Sequence, residues 1–289
     1  MKRYCLYLFI LIGISCSAEL KAQKNGTIYK GNDPAVRYTG RTLVSPDGSV
    51  AFDWVGTYLE TRFTGGKLSV KVSETGTSYY NVFVDGKLHK VVKVCGTDTL
   101  IHLVSGIDKR IHSLKIQKRS EGEFGKTTVH QFVLSGSGRL AEEPAVRTRH
   151  IEFIGNSLTC GYGTDGKHRD EPFLVETENC NLTFASMVAR YYDADYTLIA
   201  HSGRGAARNY GDSVRVSKVT MKDRMLNTFD EDLTHKWNFK EYRPDLVVIN
   251  LGSNDFSTEP HPYKSEFTKA YKQILAQLRE HYGDIPILC

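Results

Sequence analysis

The sequence contains no C-x-x-C pair, no H-E-x-x-H and no cluster of histidines, so the usual ligand spacings of a structural zinc site are missing. It has no long basic run interleaved with aromatics, and its net charge is only +5, which argues against a nucleic-acid partner. Internal repeats and low-complexity tracts are also missing. The one apolar stretch near the N-terminus, Tyr4 to Ile14, is too short for a membrane span, and no later segment is a candidate.

What is present begins with that stretch. Lys2 and Arg3 precede it, and small residues follow around Ala22 in "LKAQ". A basic start, a short apolar core and a small residue at the cut make residues 1–22 a secretory signal peptide. The lesser alternative is a lipoprotein anchored through Cys16. Without residues 1–22 the net charge is about +3. The expected location is therefore secreted or periplasmic, with no stable membrane insertion once the leader is cut. Of the six cysteines, Cys95, Cys160, Cys180 and Cys289 then remain in an oxidising compartment. Cys160 and Cys180 flank one loop, and two readings stay open: a bridge, or two small buried thiols.

The 289 residues suggest about two domains. From 28 to 140 the chain is all strand and turn. "FDWVGTYLETRFTGGKLSVKV" alternates apolar and polar residues, and "YYNVFVDGKLHKVVKV" is a hairpin turning at Asp85-Gly86. Short strands at near-regular spacing predict a β-sandwich or jelly roll. Residues 135–150 are polar and contain Pro144, and they read as the boundary.

From 150 to 289 strands alternate with helices, which predicts a parallel sheet in a three-layer α/β/α domain. "IEFI", "DYTLIA", "PDLVVINLG" and "IPILC" are the strands. "NLTFASMVARYY" is a helix with Phe184, Val188 and Tyr191 or Tyr192 on one face, and "VTMKDRMLNTF" is another. "YKSEFTKAYKQILAQLREHYG" is the clearest helix and ends at Gly283. "IPILC" stops almost where a core strand starts, so the sequence reads as incomplete at its C-terminus.

In a parallel sheet, ligands bind beyond the carboxyl ends of the strands. Three such ends carry Ser157, Gly203, and Asn254 with Asp255. A hydroxyl at a pre-shaped turn suits a nucleophile. The Ser157 N–H, Gly203 N–H and Asn254 amide suit an oxyanion hole. "FIGNSLTCGYG", "HSGRGAARNYG" and "VVINLGSND" resemble blocks I, II and III of the SGNH (GDSL-type) hydrolases, with Asn156 where the first block commonly has Asp. The upstream half is similar to the N-terminal β domain of carbohydrate esterase family 2.

The resemblance implies a cofactor-free serine esterase that removes acetyl groups from O-acetylated plant cell-wall polysaccharides such as xylan and glucomannan. It makes Ser157 the nucleophile, with Gly203 and Asn254 completing the oxyanion hole. Tyr162, Arg204 and Asp255 are the candidate substrate contacts, Asp255 with the second role of orienting the Asn254 loop. Gly161 and Gly163 are expected to leave room for the acylated sugar. The family's general-base histidine, in a fourth block often reading Asp-x-x-His, has no counterpart here. His201, His261 and His281 are poor substitutes, so the base is expected beyond Cys289 and the chain as given is expected to be nearly inactive. Arg208, Trp54 and Trp237 are further candidates for glycan contact, with packing as the commoner fate of such residues. Two other readings remain open: an esterase acting on other acyl esters, and a carbohydrate-binding protein without catalysis.

Overall fold

The computed structural model describes residues 26–142 and 144–289. The leader read at residues 1–22, with Cys16, lies outside the described residues. Among those described, no helix is long and apolar enough to cross a membrane.

The first half holds β1 (Gly26–Lys30), β2 (Val36–Thr39), β3 (Leu43–Val44), β4 (Val50–Phe52), β5 (Tyr58–Thr64), β6 (Lys67–Val84), β7 (Lys87–Val104), β8 (Ile111–Lys118), β9 (Thr127–Ser135) and β10 (Arg139–Leu140). These strands, expected as a sandwich, join into one continuous antiparallel sheet. The long strand β6 shows how it curls. Its first part, Lys67–Glu74, pairs with β9, whereas Tyr80–Val84 pairs with β8. The sheet thus forks into two leaves over one core, which includes Phe52, Leu59, Phe63, Leu68, Val82 and Phe132. The β6–β7 hairpin turns at Asp85-Gly86, both at positive φ, as a two-residue primed turn requires.

The second half holds β11 (His150–Gly155), β12 (Asp195–Ala200), β13 (Leu246–Ile249) and β14 (Ile287–Leu288), all parallel in the order β12-β11-β13-β14. Between them lie α1 (Ser157–Cys160), α2 (Phe184–Tyr191), α3 (Met221–Arg224) and α4 (Lys264–Tyr282). Helix α2 covers one sheet face with Ala185 and Ala189, and α4 covers the other with Ile274, Leu278 and Tyr282. Burial on both faces explains the near-continuous apolar runs of β11 and β12. Glu152 interrupts the first run, and its carboxylate accepts from the Tyr242 and Tyr282 hydroxyls and pairs with Arg41.

Two expectations change. The face of α2 turned to the sheet carries Ala185, Ser186 and Ala189, while Val188, Tyr191 and Tyr192 are exposed. Small residues let the helix backbone sit close to Phe153 and Tyr196, which bulky side chains would prevent. The helix expected over Val219–Phe229 is only the single turn α3, because Asn227 leaves the helix and caps it with its own amide on Asp223 and Arg224 carbonyls.

The two halves share their cores. Trp54, which precedes β5, is fully buried among Ile154, Ile199, Val247 and Ile274 of the parallel-sheet half. Val55 and Tyr58 pack with Phe153, Tyr196 and Leu198 on its other side. Arg41 is buried as well and donates to the Met225 and Asn227 carbonyls at 2.6 and 2.9 Å. Its guanidinium lies over the rings of Trp237 and Phe239. Trp54 and Trp237 are therefore packing residues and not sugar platforms.

Candidate active site

Because β11, β12 and β13 are parallel neighbours with β11 in the middle, their carboxyl ends share one edge. Ser157 follows β11 and so lies between the turn after β12, which carries Gly203, and the turn after β13, which carries Asn254. Hydrogen bonds tie the three turns together. The Asn156 Nδ2 donates to Ser253 Oγ at 2.9 Å, and the Asn254 Nδ2 donates to the Arg204 carbonyl at 2.8 Å. An amide nitrogen carries two hydrogens, so Asn254 keeps a second donor.

Ser157 is the first residue of α1, capped by Asn156 in extended conformation, whose Oδ1 accepts the Leu158 N–H. The serine is partly exposed while Asn156 is buried. Gly161 ends α1 at φ +86°, and a Cβ there would sit 2.5 Å from the Asn179 carbonyl carbon. It makes room for the protein's own backbone, which corrects the expectation that it makes room for a sugar. Gly203 adopts φ +74°, the left-handed region in which glycine is favoured.

The other candidates separate into surface and scaffold. Tyr162 is exposed and stacks on Phe173 at 3.7 Å, and Phe173 in turn meets Phe124. Arg204 is partly buried beside Gly203. Asp255 is not a ligand contact. It is wholly buried, and its carboxylate accepts the N–H groups of Ala206, Ala207 and Arg208 at 3.0, 2.7 and 2.9 Å. The carboxylate thus ties the turn after β13 to the turn after β12. Arg208 is also buried and donates to the Val214, Asp212 and Glu259 carbonyls.

His201, at the end of β12, is buried with Nδ1 2.7 Å from Asp230 Oδ2 and Nε2 3.6 Å from Glu123 Oε2. Burial disfavours its charged form, but Asp230 and then Glu121 outweigh that and raise its pKa. Its Nδ1 is engaged by Asp230 and not by the serine, so the ring is not placed to take the Ser157 proton. Among the described residues no histidine hydrogen-bonds the Ser157 hydroxyl. His281 stacks on Phe239 at the far end of α4.

Sequence reasoning missed Lys118–Phe124, a loop of the first half that reaches under the site. Arg119 donates to the Glu178 carbonyl at 2.9 Å and pairs with Asp165, fixing the segment after α1. Glu121 Oε2 accepts the Ser202 N–H at 2.5 Å, next to Gly203. Lys118 is fully buried and donates to the Ser120 and Glu121 carbonyls. The available signal was a dense set of charges, "KRSEGE", directly after an apolar strand. Such a run reads as a solvated end unless its partners across the domain are known.

Cys160 and Cys180 are buried free thiols, the second of the two readings. Burial pushes the Cys180 thiol up to about 12, and burial with Glu121 and Glu178 raises Cys160 well above the usual value.

Comparison with known proteins agrees with both halves. Residues 38–144 match the family described as carbohydrate esterase 2 N-terminal, and residues 153–289 match the GDSL-like lipase/acylhydrolase family. The chain is 34% identical over 258 residues to the cellulase/esterase CelE of Acetivibrio thermocellus, covering 89% of this chain and 31% of that protein. It is 33% identical to an acetylxylan esterase / glucomannan deacetylase of Cellvibrio japonicus, covering 76% of this chain and 61% of that protein. It thus spans less than two thirds of either relative's length. The structure superposes on that of a family two carbohydrate esterase from Clostridium thermocellum in complex with cellohexaose with a TM-score of 0.82. Identity there is 34%, over 87% of this chain and 76% of that one. With both halves matched in order and a solved relative largely covered at that identity, the chain belongs to carbohydrate esterase family 2.

Proposed function

We propose that the chain is a secreted serine esterase that removes O-acetyl groups from plant cell-wall polysaccharides such as xylan and glucomannan. The observation that carries this reading is the shared edge of β11, β12 and β13, where Ser157, Gly203 and Asn254 follow three adjacent parallel strands. The relative named acetylxylan esterase / glucomannan deacetylase supports the substrate class. Secretion rests on the leader read at residues 1–22.

In this reading the Ser157 oxygen adds to the acetyl carbonyl carbon as its proton passes to a base other than His201. The carbonyl oxygen takes up the negative charge and receives hydrogen bonds from Ser157 N–H, Gly203 N–H and the second Asn254 Nδ2 hydrogen. Collapse expels the sugar oxygen, which takes the proton and leaves acetyl-serine. Water then hydrolyses the ester, releasing acetate and restoring the hydroxyl. Tyr162, exposed and stacked on Phe173, offers a flat face to a sugar ring. Arg204 is the adjacent candidate for sugar hydroxyls. No step requires a cofactor.

The test is acetate release from acetylated xylan and glucomannan by the chain and by Ser157→Ala, each with imidazole supplied as the external base. Release that depends on Ser157 supports the esterase. Equal release from both overturns it, and glucan affinity retained by both without any release identifies a binding protein instead.

A further inference from the structure

Glu121 belongs to the first half of the chain, yet its carboxylate lies beneath the turn after β12. Its Oε2 accepts the Ser202 N–H at 2.5 Å, one residue before Gly203. Its own N–H donates to Glu178 Oε2 at 3.1 Å, and Lys118 Nζ donates to its carbonyl at 3.0 Å. Glu121, Glu178 and Lys118 are all fully buried. At Gly122 a Cβ would lie 2.8 Å from the Asp230 Cβ, so the loop backbone packs directly on the partner of His201. The two residues ahead of Gly203 are therefore both gripped from below, His201 by Asp230 and Ser202 by Glu121.

We infer that Glu121 is a positioning residue for the oxyanion-binding turn, reaching across from the N-terminal sheet to fix Ser202 and thereby the direction of the Gly203 N–H. This rests on the esterase reading above. Burying a carboxylate is costly, and here its hydrogen bond goes to a backbone N–H one residue from a proposed donor. A turn with glycine at φ +74° has freedom to lose, and holding its preceding amide removes much of it. Glu178 completes the clamp from the other side, its Oε2 accepting the Glu121 N–H, and burial with the neighbouring Glu121 raises its pKa well above the carboxylate range.

The experiment compares wild type, Glu121→Ala and Glu121→Gln by backbone hydrogen exchange and by acetate-release kinetics in the presence of imidazole as external base, with folded fractions matched. Glutamine keeps a side-chain acceptor for the Ser202 N–H, and it guards against a variant that merely fails to fold. In Glu121→Ala the Ser202 amide is expected to exchange at least about tenfold faster, as an unclamped amide opens locally. Its kcat should fall about ten- to a hundredfold, the usual range for a displaced donor, with KM within about twofold. Glu121→Gln should recover most of both. Unchanged exchange in Glu121→Ala overturns the clamp. Faster exchange with unchanged kcat, or a loss confined to KM, overturns its role in positioning. Wild-type release no greater than that of Ser157→Ala would defeat the esterase reading separately, and the exchange result would still decide the clamp.

Discussion

The Asp255 Oδ1 accepts the Ala207 N–H at 2.7 Å, joining the turn after β13 to the turn after β12 in the interior of the site. The same carboxylate accepts two more N–H groups, so its removal leaves three buried donors without partners. Hydrogen bonds to a charged group contribute about 1.5–3 kcal/mol each when one partner is deleted, although such losses do not simply add. Asp255→Ala is expected to lose about 3 kcal/mol or more in urea unfolding, together with most acetate release. A variant with wild-type stability would show that the loop holds itself.

Asp53 predicts a pH dependence of folding. Burial, and then the Asp230 charge, push its carboxyl up to about 7 from the ordinary 3.8. The folded protein therefore keeps a proton that the unfolded chain has released, and stability falls as pH rises between those values. The contribution is complete below 3.8 and gone above about 7. Asp53→Asn cannot ionise, so its unfolding free energies at pH 5 and pH 8 should lie closer together than those of wild type. An unaltered gap would place the ionisation elsewhere.

No described histidine touches the Ser157 hydroxyl, and His201 is held by acids on both ring nitrogens. A small external base should then substitute. Added imidazole is expected to raise the rate of acetate release in proportion to its concentration at pH 8, where it is neutral, and to do nothing in Ser157→Ala. General-base assistance contributes about 10²–10⁴-fold, which sets the scale of the effect. A rate indifferent to imidazole would mean that a base already serves the serine.

Thiol labelling distinguishes the cysteines. Cys95 and Cys289 are exposed and should react in the native protein, whereas Cys160 and Cys180 should react only after unfolding. Peptide mapping of the labelled protein reads this directly. A Cys160–Cys180 disulfide peptide would contradict the structure.

What the sequence made legible was local. Alternation in "SVKV", the Asp85-Gly86 turn and the apolar runs of β11 and β12 state their conformations within a few residues, and the three strand ends follow from parallel order alone. Helix α2 was harder, because its large apolar side chains suggested the buried face while close packing selected Ala185 and Ala189. The role of Asp255 was ambiguous, since one carboxylate can serve a ligand or a loop until its neighbours are placed. Glu121 was invisible for the same reason at greater distance. Its partner Ser202 lies far along the chain, and nothing near Glu121 marks it as buried.

Trp54 gives the architecture a last consequence. The indole comes from the N-terminal half but fills the interior beneath β11, β12 and β13, and Arg41 satisfies carbonyls of the α3 region from the same side. A chain begun at His150 would carry a hole where the ring belongs and bare carbonyls where the guanidinium sits. The boundary near residue 145 is thus a seam in the topology and no place to cut. Recombination that moved one half without the other would transmit an unstable fold, and the two should be inherited together.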